Sequence, residues 1–312
     1  MRLLVTGASG FTGTALIRLL APDKEIQIIG ITRKKTSRPD SDSGTTWKEA
    51  DLLNRDHIFK LISTVKPDAI IHLAGLNRGS AADLFMTNVC GTQHLLEAIS
   101  STNPDCRVLI TSSSAVYGYQ GSSPITEEYP FQPLTEYGAA KAAQDLLALM
   151  HYHERGINLT IARPFNLTGP GQADTFLCGK IIRQVVEFEE GKRDSLDLLE
   201  TQSSRDFIDV RDVAKAYRAL MTHPRFKEDC TGKTFNIGSG RSCPISEVIA
   251  TLETITGKRY PVNLPTDPQQ ITIPSQQSDI SRIYNITGWK PEISLKNTLN
   301  DMLTAEWARI KT

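Results

Sequence analysis

The chain has 312 residues, and 35 Lys and Arg balance 35 Asp and Glu, so its formal net charge is zero. That length supports a large core and two lobes, and the balance leaves no basic field for nucleic acid or an anionic membrane. Five scattered cysteines without C-x-x-C spacing read as buried or free thiols of a reducing compartment, and no His/Cys cluster has the spacing of a metal site.

The first element is the apolar run Leu3–Thr6. No signal-peptide pattern precedes it, and no apolar stretch reaches the length of a bilayer span, so a soluble cytoplasmic protein is expected. Glycines follow at Gly7, Gly10 and Gly13, and then an apolar helical pattern over 11–20. Strand, glycine turn and helix in that order bring bare backbone N–H groups and the positive end of a helix to one point, which suits a pyrophosphate. Gly7 allows the tight exit from the strand, Gly10 lets backbone approach the phosphates, and Gly13 permits close helix–sheet packing.

A second strand over 26–31 ends in Ile31-Thr32-Arg33-Lys34. An acid there would bind the ribose 2′-OH of NAD; Arg33, with Thr32 and Lys34, suits a 2′-phosphate instead. NADP(H) is therefore favoured, with NAD(H) as the alternative. The polar stretch 34–46 reads as a mobile surface loop. Helices are expected near 55–65, 83–101 and 137–155, and strands at 69–73, 107–112 and 159–163. Near-continuous apolar strands alternating with helices imply a parallel sheet covered on both faces.

The fourth of these strands runs into Thr111-Ser-Ser-Ser-Ala-Val-Tyr-Gly118. It ends at the carboxyl edge of the sheet, where ligands bind in open α/β folds, and a serine there can hydrogen-bond a reacting oxygen. Ser113 is our choice, with Ser112 and Ser114 as alternatives. Tyr137 and Lys141 lie four apart on the next helix and so share a face. A phenol is a poor acid–base group near neutrality, but a neighbouring ammonium favours its ionised form, so Tyr137 can exchange a proton with a carbinol or carbonyl oxygen.

Beyond Arg163, prolines and glycines over 164–171 break the regular alternation. A helix over 176–190, a strand feeding a helix over 205–217, a strand and turn over 233–240, and helices near 246–256 and 294–310 follow. A Pro- and Gln-rich stretch spans 261–278. This predicts an α/β fold: a doubly wound parallel-sheet Rossmann domain (1–163 plus 205–238) with a smaller discontinuous substrate lobe (164–204 plus 239–312).

Gly7/Gly10/Gly13, His72-Leu-Ala-Gly, Asn88-Val-Cys-Gly-Thr92, Ser113 before Val-Tyr-Gly, Tyr137/Lys141, Arg163-Pro-Phe-Asn166, Arg205-Asp-Phe and Phe235-Asn-Ile-Gly occur in that order. Together they resemble the extended short-chain dehydrogenases/reductases that act on nucleotide sugars, over essentially the whole chain. Residues 163–172 and 287–295 are most similar to the branch of GDP-4-keto-6-deoxy-D-mannose reductases. The resemblance implies Ser113, Tyr137 and Lys141 as the catalytic set, with Lys141 also holding the nicotinamide ribose. It implies cofactor contacts from Ser9, Phe11 and Thr12 in the turn, Asp51 and Leu52 at the adenine, Leu73, Ala74 and Gly75 along the cofactor, and Pro164 at the nicotinamide. Ser114 and Asn166 would meet the nucleotide sugar and Arg205 its diphosphate, a ligand suited to a planar fork of donors. A homodimer through a helix pair that includes 137–155 is implied as well.

Dehydratases of the family carry acidic residues after the serine position, where this chain has Ser114 and Ala115, so dehydration is disfavoured. Gln270 and Thr272 replace an Arg and an acid of the reductase branch, and Glu136 replaces a small residue or proline. The expected activity is NADPH-dependent reduction of an NDP-4-keto-6-deoxyhexose at C4. A 4-epimerase with tightly bound NAD is the alternative, and a non-catalytic NADP-binding sensor or scaffold the further one.

Overall fold

The structure is a computed structural model that describes residues 1–33, 44–266 and 273–310. Its first half alternates strand and helix: β1 (Arg2–Thr6), α1 (Phe11–Leu20), β2 (Gln27–Thr32), β3 (Thr46–Glu49), α2 (Arg55–Val65) and β4 (Ala69–His72). Then come α3 (Ala81–Phe85), a π turn (Met86–Cys90), α4 (Gly91–Thr102), β5 (Arg107–Thr111), a 3₁₀ turn (Ser114–Val116), α5 (Glu136–Arg155) and β6 (Leu159–Pro164). The remainder comprises β7 (Asn166–Thr168), α6 (Leu177–Glu189), β8 (Leu196–Asp197), β9 (Ser204–Arg205), β10 (Phe207–Asp209), α7 (Val210–Met221), α8 (Phe226–Asp229) and β11 (Thr234–Ile237). It ends with β12 (Cys243–Pro244), α9 (Ile245–Thr256), β13 (Val262–Asn263), α10 (Ser281–Thr287) and α11 (Leu295–Ile310).

Seven strands form one parallel sheet in the order β11-β6-β5-β4-β1-β2-β3. Side chains alternate between its faces, as the two-residue period of a strand requires. Leu3, Val5, Ile71, Leu109, Phe235 and Ile237 join α1 and α7 on one face. Leu4, Ile29, Ile31, Ile70, Val108, Ile110 and Ile161 join α2, α4 and α5 on the other. This is the doubly wound architecture expected from the apolar runs. A third core cluster gathers α6, α9 and α11 around Val185, Leu196, Val248, Leu252 and Leu299. Three small strand pairs stand apart from the large sheet: β10 with β7, β12 with β9, and β13 with β8.

Two expectations need correction. The helix read over 83–101 is interrupted by the π turn, because one inserted residue turns Asn88 inward, where it is fully buried. The polar stretch 34–46 overlaps the first residue of the edge strand β3; its residues 34–43 lie outside the described residues.

Candidate functional site

The glycine turn joins β1 to α1. Gly7 has φ +64°, and a Cβ on it would stand 2.7 Å from the backbone nitrogen of Ala74. A Cβ on Gly13 would stand 2.4 Å from the carbonyl oxygen of Gly7. Helix and sheet thus approach to a distance that only glycine permits. Gly10 is the N-cap of α1 and supplies no side-chain cap, so Phe11, Thr12 and Gly13 present the helix's positive end at the sheet edge. Ser9, Phe11 and Thr12 are half-buried there. Leu73 and Ala74, half-buried, and exposed Gly75 continue β4 alongside the turn.

At the end of β5 the three serines diverge. Ser112 is buried, its hydroxyl beside the Asp145 carboxyl, which it helps to hold down. Ser114 is buried and donates to Gln276 Oε1 at 3.2 Å. Ser113, half-buried, accepts a bond from the Ala115 N–H at 3.2 Å and hydrogen-bonds Tyr137. Thr135 caps α5 through the N–H of Gly138, which starts the helix at the turn that carries Tyr137. Burial pushes the Tyr137 phenol up; Ser113 pulls it back and the nearby Asp145 adds to the rise.

Lys141 is buried one turn on and donates to Thr111 O and Gln144 Oε1, both at 2.7 Å. Burial lowers its ammonium to about 8, against a raising contribution from Asp145. Asp145 is fully buried and pushed up by that burial, chiefly opposed by Arg163. Arg163 Nε donates to Asp145 Oδ2 at 2.9 Å, and its Nη1 donates to the Tyr117 hydroxyl at 2.8 Å. Its guanidinium lies 4.9 and 4.8 Å from the Tyr117 and Phe131 ring centroids.

Pro164 ends β6, buried against β11. Asn166 opens β7 half-buried, donating from N and Nδ2 to Asp206 O at 2.9 and 3.3 Å. The Arg205 guanidinium donates to the carbonyls of Ser204 and Ile273 at 2.9 and 2.8 Å. It forms no ion pair with a carboxylate among the described residues: Asp209 holds Arg211, and Asp206 collects five donors. These are Ser239 N and Oγ (both 2.7 Å), Gly240 N (3.1 Å), and Ser278 N and Oγ (2.9 and 2.5 Å). A surface pairing of Arg205 with Asp206 or Asp209, which the sequence allows, is thus absent.

Arg33 follows β2 with an exposed side chain. Asp51 is exposed and accepts from Leu53 N at 3.0 Å, while the Leu52 side chain packs into the core. Lys34, Gln270 and Thr272 lie outside the described residues. An uncapped helix start over three glycines, a cation beyond β2 and a buried ammonium beneath Gly75 fit a phosphorylated dinucleotide. Among the described residues no group of three His, Cys, Asp or Glu stands together to hold a metal, and no helix is long and apolar enough to cross a membrane.

Two contributors escaped the sequence reading. Asn88 clamps the loop after β4, accepting from Leu76 N at 3.0 Å and donating to Leu76 O at 2.8 Å. Gln276 ties Ser114 to the segment beside Arg205, its own N–H donating to Ser204 O at 3.1 Å. Asn88 belongs to a recognisable motif and reads from the sequence only as a loop or helix cap, and Gln276 lies in a stretch with no periodic signal.

Residues 3–238 match the model of the NAD dependent epimerase/dehydratase family. The chain is 32% identical to the GDP-6-deoxy-D-mannose reductase of Pseudomonas aeruginosa, over 99% of this chain and 98% of that protein. The structure of RMD from Pseudomonas aeruginosa complexed with NADPH superposes with a TM-score of 0.85 at 31% identity, over 99% of each chain. The UDP-glucuronic acid 4-epimerase of Bacillus cereus, in complex with UDP-glucuronic acid and NAD, superposes with a TM-score of 0.87 at 26% identity, over 99% of this chain and 100% of that one. The chain belongs to the NAD-dependent epimerase/dehydratase family, the extended short-chain dehydrogenases/reductases.

Proposed function

We propose that the protein is an NADPH-dependent reductase of a nucleoside-diphosphate 4-keto-6-deoxyhexose, acting at C4. The observation that carries the reading is that Ser113, Tyr137 and Lys141 converge where β5 ends while Ala115 leaves no acid–base carboxylate beyond the serine. Such a site offers one proton donor and one oxygen-orienting hydroxyl, which suits carbonyl reduction better than dehydration. The bound cofactor supplies the hydride that reduces the carbonyl carbon. Tyr137 gives its phenolic proton to the carbonyl oxygen, so the ketone becomes an alcohol and the phenolate is reprotonated from solvent. Ser113 donates a hydrogen bond to that oxygen, and the ammonium of Lys141 stabilises the phenolate and holds the ribose. The uncapped start of α1 receives the pyrophosphate, while Arg205 and Asn166 receive the diphosphate and sugar of the substrate. The similarity to a GDP-6-deoxy-D-mannose reductase makes the GDP-linked sugar the first to test.

The same reading divides the chain into a nucleotide lobe (1–163 plus 205–238) and a substrate lobe (164–204 plus 239–312), supported by the separate core of α6, α9 and α11. It places the protein in the cytoplasm, in keeping with five free cysteines. It also assembles two copies through a surface that includes α5, whose Leu146 is 57% exposed.

The test offers GDP-, dTDP- and UDP-linked 4-keto-6-deoxyhexoses with NADPH and follows its absorbance. One-for-one NADPH oxidation with at least one of them is expected. Interconversion of C4 epimers by protein that co-purifies with NAD, without net NADPH oxidation, would instead make it an epimerase. NADPH binding with no turnover on any sugar would make it a sensor.

Arg33 is assigned the 2′-phosphate. Arg33→Ala is expected to lower kcat/KM for NADPH by about 10- to 100-fold, the worth of a charge-assisted hydrogen bond, and to leave NADH almost unchanged. An unchanged ratio of the two cofactors would refute the assignment.

A further inference from the structure

Behind Lys141 runs a file of buried hydrogen-bonded side chains. An ammonium carries three donors and no acceptor, so Gln144 must present its oxygen to Lys141 Nζ. Its amide nitrogen then faces away and donates to Thr92 Oγ1 at 2.8 Å. The Thr92 hydroxyl donates its proton to Asn88 O at 2.6 Å, one turn back, so it accepts from His72 at 3.0 Å. The ring proton of His72 therefore sits on Nε2. Its Nδ1 accepts from the Thr6 hydroxyl at 2.8 Å, and that oxygen accepts the N–H of Ala74 at 3.1 Å. Gln144, Thr92, His72 and Thr6 are each 2% exposed or less. Burial, with the charge of Lys141, holds the His72 imidazole down at about 3, so it is neutral, as the file requires. The lysine fixes the directions at one end and the Asn88 carbonyl fixes them at Thr92, and the far end is the last residue before Gly7 and the wall against which Gly7 packs.

We infer that Gln144 is a positioning residue for Lys141. With Thr111 O it takes two of the three ammonium hydrogens and so aims the third outward, into the cleft beside Gly75. Nζ lies 3.6 Å from where a Cβ of exposed Gly75 would stand, which puts the free hydrogen on the cleft floor. Because the file ends at Thr6 and Ala74, the aim of Lys141 is referenced to the same turn that receives the pyrophosphate. An amide is well chosen here, since it accepts from the ammonium without adding a charge beside Asp145. This assignment rests on the reading that Lys141 serves cofactor and reaction. The other charged or titratable groups facing Lys141 are Asp145 and Tyr137 on its own helix and His72 from β4. Arg163 from β6 lies beyond Asp145, and Tyr217 from α7 reaches Thr111.

Gln144→Met keeps the volume and removes the acceptor, whereas Gln144→Glu keeps an acceptor. The readouts are kcat and KM across neutral to alkaline pH, the NADPH dissociation constant from fluorescence, and thermal melting. Gln144→Met is expected to lower kcat about 10- to 100-fold with little change in nucleotide-sugar KM, and to weaken NADPH binding several-fold. Its alkaline limb of kcat should move about one unit to lower pH, since an ammonium that loses an acceptor gives up its proton more easily. Gln144→Glu should restore most of kcat and move the limb to higher pH, because a carboxylate favours the ammonium. Wild-type kcat, pH limb and NADPH affinity in Gln144→Met would overturn the inference, as would equal losses in both variants with unmoved limbs. Should Gln144→Met not fold, Gln144→Glu decides alone, an unmoved limb counting against the inference. If wild-type protein oxidises no NADPH with any keto-sugar, the reductase reading falls; NADPH affinities of the variants then decide the positioning role by themselves.

Discussion

Tyr137→Phe is expected to cut reductive turnover by about 10²–10⁴-fold while NADPH affinity stays near that of the native protein. The phenylalanine ring occupies the same half-buried place at the start of α5, so the backbone that carries Lys141 is undisturbed. What disappears is one proton, on the oxygen that Ser113 faces. Burial keeps the phenol above its ordinary value, and for reduction that is the favourable sign: the group must arrive protonated at neutral pH and lose its proton only as the substrate oxygen gains charge. The buried ammonium of Lys141, with its proton held only to about 8, sets the other bound. Reduction should therefore be level near neutrality and decline as pH rises through that value. Single-turnover NADPH oxidation gives the check, and a variant retaining more than about a tenth of native turnover would remove Tyr137 from the chemistry.

The second large effect is structural. Arg163→Met is expected to destabilise the protein by about 3–5 kcal/mol, because it strands the Asp145 carboxylate in an interior that no solvent reaches. Arg163 is the main compensation for the Asp145 charge, ahead of Ser112 and Lys141. In the variant Asp145 can relax by taking up a proton or by drawing on Lys141, and either alters the ammonium assigned to the proposed reaction. The pH dependence has a definite sign. Burial raises the Asp145 carboxyl above its unfolded value, and between the two values the native state holds a proton that the unfolded chain lacks. The deficit should thus be largest at neutral pH and shrink in acid. Urea unfolding of Arg163→Met, Asp145→Asn and the double variant measures the coupling directly. A loss below about 1 kcal/mol for Arg163→Met, the range of exposed pairs, would contradict the strong coupling.

The sheet and the glycine turn were legible because backbone constraints write themselves into residue type. Only glycine fits where a Cβ would meet the Ala74 backbone, and strands covered on both faces must be apolar throughout. The edge strand β3 was not legible: Thr46, Trp47, Lys48 and Glu49 are mostly exposed, and four residues are too few to show a period. Nor was the π turn, since one inserted residue moves the helical phase by only about 100° and the apolar pattern resumes beyond it. In the site, Tyr137 and Lys141 were readable from a four-residue spacing. The choice among Ser112, Ser113 and Ser114 was not, because it depends on how the chain leaves β5. Gln144 was invisible for a different reason: a glutamine in a helix usually signals solvent, and only the three-dimensional neighbours Lys141 and Thr92 turn it into an interior group.

Asp206 gives the molecule an order of assembly. One buried carboxylate, next to Arg205 in the chain, gathers donors from residues 239, 240 and 278 and so fastens three distant stretches at a single point. A nascent chain that has emerged only to β11 has every strand of the large sheet but only the carboxylate of this knot, with Ser239, Gly240 and Ser278 still to come. The sheet can close first, and the arms that would grip a sugar nucleotide set only when almost the whole chain has been made, so immature protein has a floor for a cofactor before it has a grip on anything to reduce.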